Sequence, residues 1–103
     1  MNALGVGVDV GGTTIKAVLA GDDGVVRERV DPLPTPHTGA EDVARVVASM
    51  AKPLLALAGP GAALGVCVPG IVDEERGMGV FSANLGWRRV PLRDLIADLC
   101  GCP

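Results

Sequence analysis

Residues 4–10 alternate strictly between apolar side chains and glycine or aspartate. A period of two is typical of a β-strand with one buried face. Two glycines interrupt this pattern, and residues 13–20 predict a second strand that is β-branched at its start. The Gly21-Asp-Asp-Gly24 sequence is typical of a hairpin turn, and residues 25–30 predict a third, more exposed strand. We therefore expect the chain to open with a three-stranded antiparallel meander.

The periodicity becomes helical after a proline-rich connector at residues 31–36, which we expect to be extended because proline restricts φ and disfavours helix. Apolar residues then recur at helical spacing between 43 and 57. Glu41 and Asp42 lie in the first turn, where the helix dipole favours acidic side chains. Pro53 predicts a kink or break before the end of this helix, and the Gly-Pro-Gly sequence at 59–61 predicts its stop.

The remaining residues predict a strand, an extended piece and a second helix. Residues 62–68 form a short apolar strand, most simply parallel to the first because a crossover helix precedes it. A charged turn at 73–77 leads to an extended piece near 78–81. Pro91, at position N1, begins a final helix over 92–99. The order predicts an α/β domain that ends where another strand is due.

Composition and charge argue against some classes of binding partner. The chain has 103 residues, a net charge of −3 and two aromatic side chains, so it offers no basic surface or stacking platform for nucleic acid. The uncharged stretch 53–72 is long enough for a bilayer, but its prolines and glycines prevent a continuous apolar helix. No positive charge precedes Lys16, so a secretory leader is not expected. These features predict a cytoplasmic protein without nucleic-acid or membrane partners.

The three cysteines and the single histidine are expected to be structural or solvated. Cys67 lies in an apolar run and is interpreted as a small buried hydrophobe. Cys100 and Cys102 form a C-x-C pair without further ligands to complete a metal site. His37 lies in the proline-rich connector, where a solvated loop position is favoured.

The D-V-G-G-T-T-I-K sequence at residues 9–16 is the first candidate for chemistry. Asp9 follows a strand and could hold Mg²⁺ directly or through water. The two glycines permit positive φ and bring bare backbone N–H groups close to an anion. Candidate phosphate ligands are the amides, hydroxyls and ammonium group of Gly11, Gly12, Thr13, Thr14 and Lys16. The alternative, equally weighted on this motif alone, is a plain Gly-Gly turn with Asp9 exposed beside it.

Two further segments carry weaker signals. In V-P-G-I-V-D at 68–73, Gly70 follows the apolar strand, and open α/β sheets bind ligands at such strand ends. In N-L-G-W at 84–87, the Asn84 amide can both donate to and accept from a hydroxyl-rich ligand. The alternatives are an ordinary turn for the first segment and a loop asparagine that caps a turn for the second.

Taken together and in this order, the three segments, followed by V-P-L at 90–92, resemble the start of a sugar kinase of the ROK family, most similar to the bacterial glucokinases. The resemblance covers the whole chain. It implies an RNase H-like fold of the actin and hexokinase ATPase type, of which residues 1–103 would be the N-terminal lobe, incomplete without its C-terminal lobe. It also implies phosphorylation of a hexose, most simply glucose, with ATP and Mg²⁺ as cofactors, and a homo-oligomer at full length.

The resemblance assigns roles to individual residues. Asp9, Gly11, Gly12 and Thr13 would belong to a phosphate-binding hairpin, and Gly70 and Asn84 would lie towards the sugar. In the family, the general base belongs to an E-N-D-x-N segment, which together with a Cys/His zinc site would come after Pro103. No catalytic base is therefore assigned in this chain, which by itself is expected to be inactive, and zinc is not transferred to Cys100 or Cys102.

Two alternative functions remain. One is a noncatalytic half-domain that binds sugar or nucleotide. The other is a sugar-responsive transcription regulator of the same family, which would need a DNA-binding segment ahead of the hairpin, whereas eight residues precede Asp9.

Overall fold

The computed structural model describes residues 4–68, 70–73, 75–82 and 87–101. The elements follow in the order β1 (Leu4–Val10), β2 (Thr14–Gly21), β3 (Val26–Arg29), β4 (Leu33–Pro34), α1 (Ala40–Ala58), β5 (Ala63–Cys67), β6 (Ile71–Asp73), β7 (Met78–Ser82), β8 (Trp87–Val90) and α2 (Leu92–Cys100).

The main sheet has five strands in the order β3-β2-β1-β5, with β4 paired to β2. Strands β1 and β2 form an antiparallel hairpin, and β3 continues the meander on the far side of β2. Strand β5 returns beside β1 in the parallel direction, after the crossover helix α1. The predicted antiparallel meander and parallel fourth strand are therefore confirmed.

One face of this sheet and one face of α1 form the core. The alternation in β1 buries Val6, Val8 and Val10, as its period predicts. The helix contributes a stripe of buried residues at helical spacing, namely Val43, Ala44, Val47, Ala48, Met50, Ala51 and Leu54. Ile15 of β2 is fully buried in the same cluster. Removal of these side chains from water stabilises the α/β layer arrangement.

The predicted break at Pro53 is wrong, because α1 runs continuously from Ala40 to Ala58 with Pro53 inside it. Pro53 is exposed, whereas Ala51 and Leu54 beside it are buried in the core. A proline inside a helix loses one backbone hydrogen bond, but burial of the apolar stripe supplies most of the stability of a packed helix. Gly59 ends the helix, as expected, with a positive φ of 91°.

The connector carries a strand that its composition did not predict. Leu33 and Pro34 form β4, where they pair with Ile15 and Thr14 of β2. Edge positions tolerate proline because no neighbour needs its missing N–H group. The prolines keep this segment extended, and the segment therefore adds a short strand to the sheet.

A second sheet of three antiparallel strands, β6-β7-β8, follows the first, although the sequence predicted only an extended piece near β7. Helix α2 then packs on α1 and the core through Leu92 and Ile96, its buried residues. Pro91 is the N-cap of α2 and not its first residue. Gly101 ends α2 in the left-handed conformation.

The turn between β2 and β3 is held by Asp23. Its carboxylate accepts a hydrogen bond of 2.9 Å from the backbone N–H of Val25 and pairs with Arg27 at 2.9 Å. The Val25 N–H, with a smaller contribution from Arg27, holds the pKa of Asp23 below its ordinary value. This Asp-Gly turn confirms the hairpin that the sequence predicted.

Neither helix in the described part of the chain combines the length and apolar character that a membrane span requires.

Candidate functional site

The turn that joins β1 to β2 is the centre of the candidate site. Asp9 and Lys16 lie directly opposite each other in the two strands, and both are exposed. Since opposed residues in a ladder share a face, their charges lie on the face of the sheet away from α1. Past this pair the backbone closes tightly, with the Gly11 N–H donating to the Thr14 carbonyl at 2.9 Å. The structure thus brings the predicted segment 9–16 into one hairpin end.

Glycine is needed at position 11 because the backbone atoms approach closely, and not because φ is positive, as the sequence suggests. A Cβ atom at this position would lie 2.8 Å from the Thr14 carbonyl oxygen, closer than any side chain tolerates. Neither Gly11 nor Gly12 is among the described glycines with a positive φ, so the expected use of left-handed backbone is wrong. The turn relies on glycine here for close backbone approach.

Thr35 supports the same turn from the connector, and sequence reasoning missed it. Its hydroxyl donates to the Gly11 carbonyl at 2.8 Å, and its backbone N–H donates to the Thr13 carbonyl at 2.9 Å. It is 5% exposed and is the buried polar residue of the described chain. The sequence offers one signal, a polar residue between two prolines. It does not indicate the partner of Thr35, because Gly11 lies 24 positions away.

The carboxyl end of β5 lies beside this hairpin. Cys67 is in register with Asp9 across the parallel pair of β5 and β1, and the chain continues from there to Gly70. Gly70 is exposed and has a φ of 122°, in the region that favours glycine. The hairpin turn and Gly70 therefore belong to the same end of the sheet, which is where ligands bind in open α/β folds. Asn84, the predicted sugar contact, lies outside the described residues.

The expectation that Cys67 is buried is wrong. Its neighbour Val66 packs against the core, and the alternation of β5 places Cys67 on the opposite, exposed face. Burial of an apolar run was inferred from composition, but one face of this sheet carries no helix in the described structure. Cys67 consequently shares a face with Asp9 and Lys16.

The donors at the hairpin suit a magnesium–phosphate group. The described residues contain no cluster of three or more acidic, cysteine or histidine side chains that could hold a metal by themselves. Mg²⁺ in phosphoryl-transfer sites is commonly held by one or two carboxylates, with phosphate oxygens and water as its other ligands. A single exposed carboxylate beside a lysine and a tight glycine turn fits that requirement.

A large cleft lies elsewhere, on the helix side of the sheet. It has a volume of about 1110 Å³ and is lined by the outer edge of β5, the end of α1 and one face of α2, including Leu55, Leu64, Val66 and Ile96. Leu64 and Val66 line it from the face that packs against the helices, whereas Asp9 lies on the opposite face. The cleft and the hairpin are therefore separate features of the described structure.

Residues 5–103 match the sequence profile of the ROK family. Because this match covers nearly the whole chain, the chain belongs to the ROK family. The fold is that of the ROK sugar kinases, which have the actin- and hexokinase-type ATPase architecture. The resemblance inferred from the three motifs is thereby confirmed.

Several curated and solved relatives are sugar kinases. The chain is 35% identical over 99 residues to a glucokinase of Thermotoga maritima, covering 93% of this chain and 30% of that protein. A ROK glucokinase from Streptomyces griseus, solved with glucose and AMPPNP, has a TM-score of 0.80 and 32% identity, covering 97% of this chain and 31% of that one. An inorganic polyphosphate/ATP-glucomannokinase from Arthrobacter sp. strain KM has a TM-score of 0.80 and 31% identity, covering 99% of this chain and 42% of that one.

The chain thus spans about a third of the length of the curated relatives it matches.

Proposed function

We propose that this chain is the N-terminal, phosphate-binding lobe of an ATP-dependent hexose kinase, and that the hexose is glucose. The observation that carries the proposal is the meeting of Asp9, the Gly11 turn and the end of β5 at one end of the sheet. Support comes from the Streptomyces griseus relative, which was solved with glucose and an ATP analogue.

The hairpin residues have complementary roles in this proposal. The close-packed Gly11 turn presents backbone to the phosphates without an intervening side chain. Lys16, with the hydroxyls of Thr13 and Thr14, would neutralise and orient phosphate oxygens. After the neighbouring strand β5, Gly70 would leave room for the sugar. Asn84 as the hydrogen-bond partner of a sugar hydroxyl stays a prediction.

Asp9 would hold Mg²⁺ through a water molecule, since the described site offers one carboxylate. When bound, Mg²⁺ would neutralise charge on the transferring phosphoryl group. In the hairpin, Asp9 lies directly opposite Lys16. The general base is expected in the part of the relatives that this chain does not cover.

A chimeric enzyme tests the proposal. Residues 1–103 replace the matching third of the Thermotoga maritima glucokinase, and turnover is measured with glucose, ATP and Mg²⁺. We expect activity in the chimera and a loss of about 100-fold or more in kcat for Asp9→Asn, with KM for glucose nearly unchanged, because charge near the transferring phosphate is lost. Asp22→Asn, an exposed aspartate in the distant β2–β3 turn, is the matched control.

The outcome depends on the comparison between the two variants. Equal kcat for Asp9→Asn and Asp22→Asn at saturating Mg-ATP contradicts the role of Asp9. In parallel, the 103-residue chain is titrated with Mg-AMPPNP, so that the binding function is tested even where a chimera folds poorly. No binding by the unaltered chain contradicts the proposed phosphate site.

A further inference from the structure

Thr35, in the connector between β3 and α1, forms hydrogen bonds with the β1–β2 turn. Thr35 lies between Pro34 and Pro36, and Pro34 pairs with Thr14 at the end of β4. Prolines on both sides restrict the backbone and contribute no N–H groups, so Thr35 supplies the donors of this tripeptide. The connector is thereby aligned with the start of β2, with Thr35 facing the turn.

Two hydrogen bonds from Thr35 engage two carbonyls of the turn. The hydroxyl donates to Gly11 at 2.8 Å, and the N–H donates to Thr13 at 2.9 Å. Both distances are those of well-formed bonds. Because Thr35 is 5% exposed, loss of the hydroxyl would leave the Gly11 carbonyl without this partner in a site that water reaches poorly.

The direction of the Gly11 carbonyl sets the direction of the Gly12 N–H bond in the same peptide group. A peptide group is planar and trans, so its C=O and N–H bonds point to opposite sides. With the Gly11 carbonyl turned towards Thr35, the N–H of Gly12 is turned away from the connector. Among the described residues, no backbone hydrogen bond engages that N–H group.

We propose that Thr35 is a positioning residue of the phosphate hairpin: it holds the Gly11 and Thr13 carbonyls towards the connector and so keeps the Gly12 N–H directed at a phosphate oxygen. This inference rests on the proposed function of the hairpin. A carbonyl that swung towards the ligand would repel a phosphate, so Thr35 acts by keeping the turn in its anion-binding orientation.

Thr35→Val removes the hydroxyl at nearly constant volume, and Thr35→Ser retains it. Thr38→Val is the matched control, because Thr38 lies in the same connector and its hydroxyl bonds the Asp42 carboxylate in the first turn of α1, away from the hairpin. The ¹⁵N-labelled chain and its variants are titrated with Mg-AMPPNP. We expect about tenfold weaker binding for Thr35→Val and less than about a twofold change for Thr35→Ser and Thr38→Val.

A ligand-free measurement tests the positioning separately. Amide hydrogen exchange and the chemical shift of Gly12 should change in Thr35→Val and be restored in Thr35→Ser. Val47→Ala, a core variant, serves to show what general destabilisation alone does to the Gly12 signal.

The outcomes separate the two hypotheses. If the unaltered chain does not bind Mg-AMPPNP, the proposed function fails, whereas positioning by Thr35 is still judged by the Gly12 signal. If Thr35→Val leaves that signal and the affinity unchanged, or changes them no more than Val47→Ala does, the positioning role is overturned.

Discussion

At the scale of single residues, the hairpin depends on how closely backbone atoms approach. The motif D-V-G-G-T-T marks where the turn lies, and the alternation of β1 places Asp9 on the exposed face. The sequence did not distinguish a glycine needed for positive φ from one needed for close contact. Only the position of the Thr14 carbonyl, 2.8 Å from where a Gly11 Cβ would be, decides this.

Gly11→Ala should destabilise the chain by about 1–3 kcal/mol, because the added methyl group forces the Thr14 carbonyl to move. Gly7→Ala, in strand β1 before the turn, is the control, since its Cβ would meet Val18 Cγ2 at an ordinary 3.9 Å. We expect the control to change stability by less than about 1 kcal/mol, in either direction. Urea unfolding followed by circular dichroism measures both. Similar losses for the two variants would show that the turn tolerates a side chain.

At the scale of elements, long periodic segments were predictable and short ones were not. Strand β1 and helix α1 have enough residues for their periods to be recognised. Strand β4 has two residues, and its pairing with β2 depends on where the connector meets the sheet. The uninterrupted course of α1 through Pro53 likewise depends on packing, because the buried stripe outweighs a local preference.

The turn between β6 and β7 is attached to α2 by Arg93. The Arg93 N–H donates to the Gly77 carbonyl at 3.1 Å, and its guanidinium donates to the Glu75 carbonyl at 3.3 Å. Gly77 has a φ of 68°, and a Cβ there would lie 2.6 Å from the Arg93 Cβ. Glycine is therefore required both by the backbone and by the close contact with the helix.

Gly77→Ala should lower the free energy of unfolding by more than Gly24→Ala does. Gly24 also has a positive φ, of 79°, but nothing lies within 4 Å of its Cβ position. The control therefore reports the conformational cost, about 1–2 kcal/mol, while the test variant adds the clash with Arg93, about 1–3 kcal/mol more. Thermal unfolding of the two variants gives the difference. Equal shifts in Tm would mean that the contact with Arg93 contributes nothing.

At the scale of the whole molecule, the chain resembles about a third of a larger kinase. Among the described strands, β5 pairs with β1 alone, and the cleft of about 1110 Å³ lies along its other edge. An unpaired edge beside an apolar cleft favours pairing with a further strand. The hairpin site likewise has one wall in the described structure, whereas phosphoryl transfer needs exclusion of water from both sides.

The 103-residue chain by itself should therefore show no turnover of glucose with ATP and Mg²⁺. The expected base belongs to a segment of the relatives beyond the matched third, and weak Mg-dependent phosphate binding is what the hairpin alone can supply. A coupled assay of the purified chain is the measurement. The same chain mixed with the remaining two thirds of the Thermotoga maritima glucokinase provides the comparison. Clear turnover by the chain alone would refute this expectation.

The sequence by itself determined the antiparallel meander, the crossover helix, the parallel strand, the hairpin with Asp9 and the membership of the ROK family. These features are local periods or contiguous motifs, so neighbouring residues suffice to specify them. The tertiary structure alone decided the exposure of Cys67, the second sheet, the course of α1 through Pro53 and the contact of Thr35 with Gly11. Each of these depends on which surfaces pack together in the fold. No local sequence pattern predicts a contact between residues 24 positions apart.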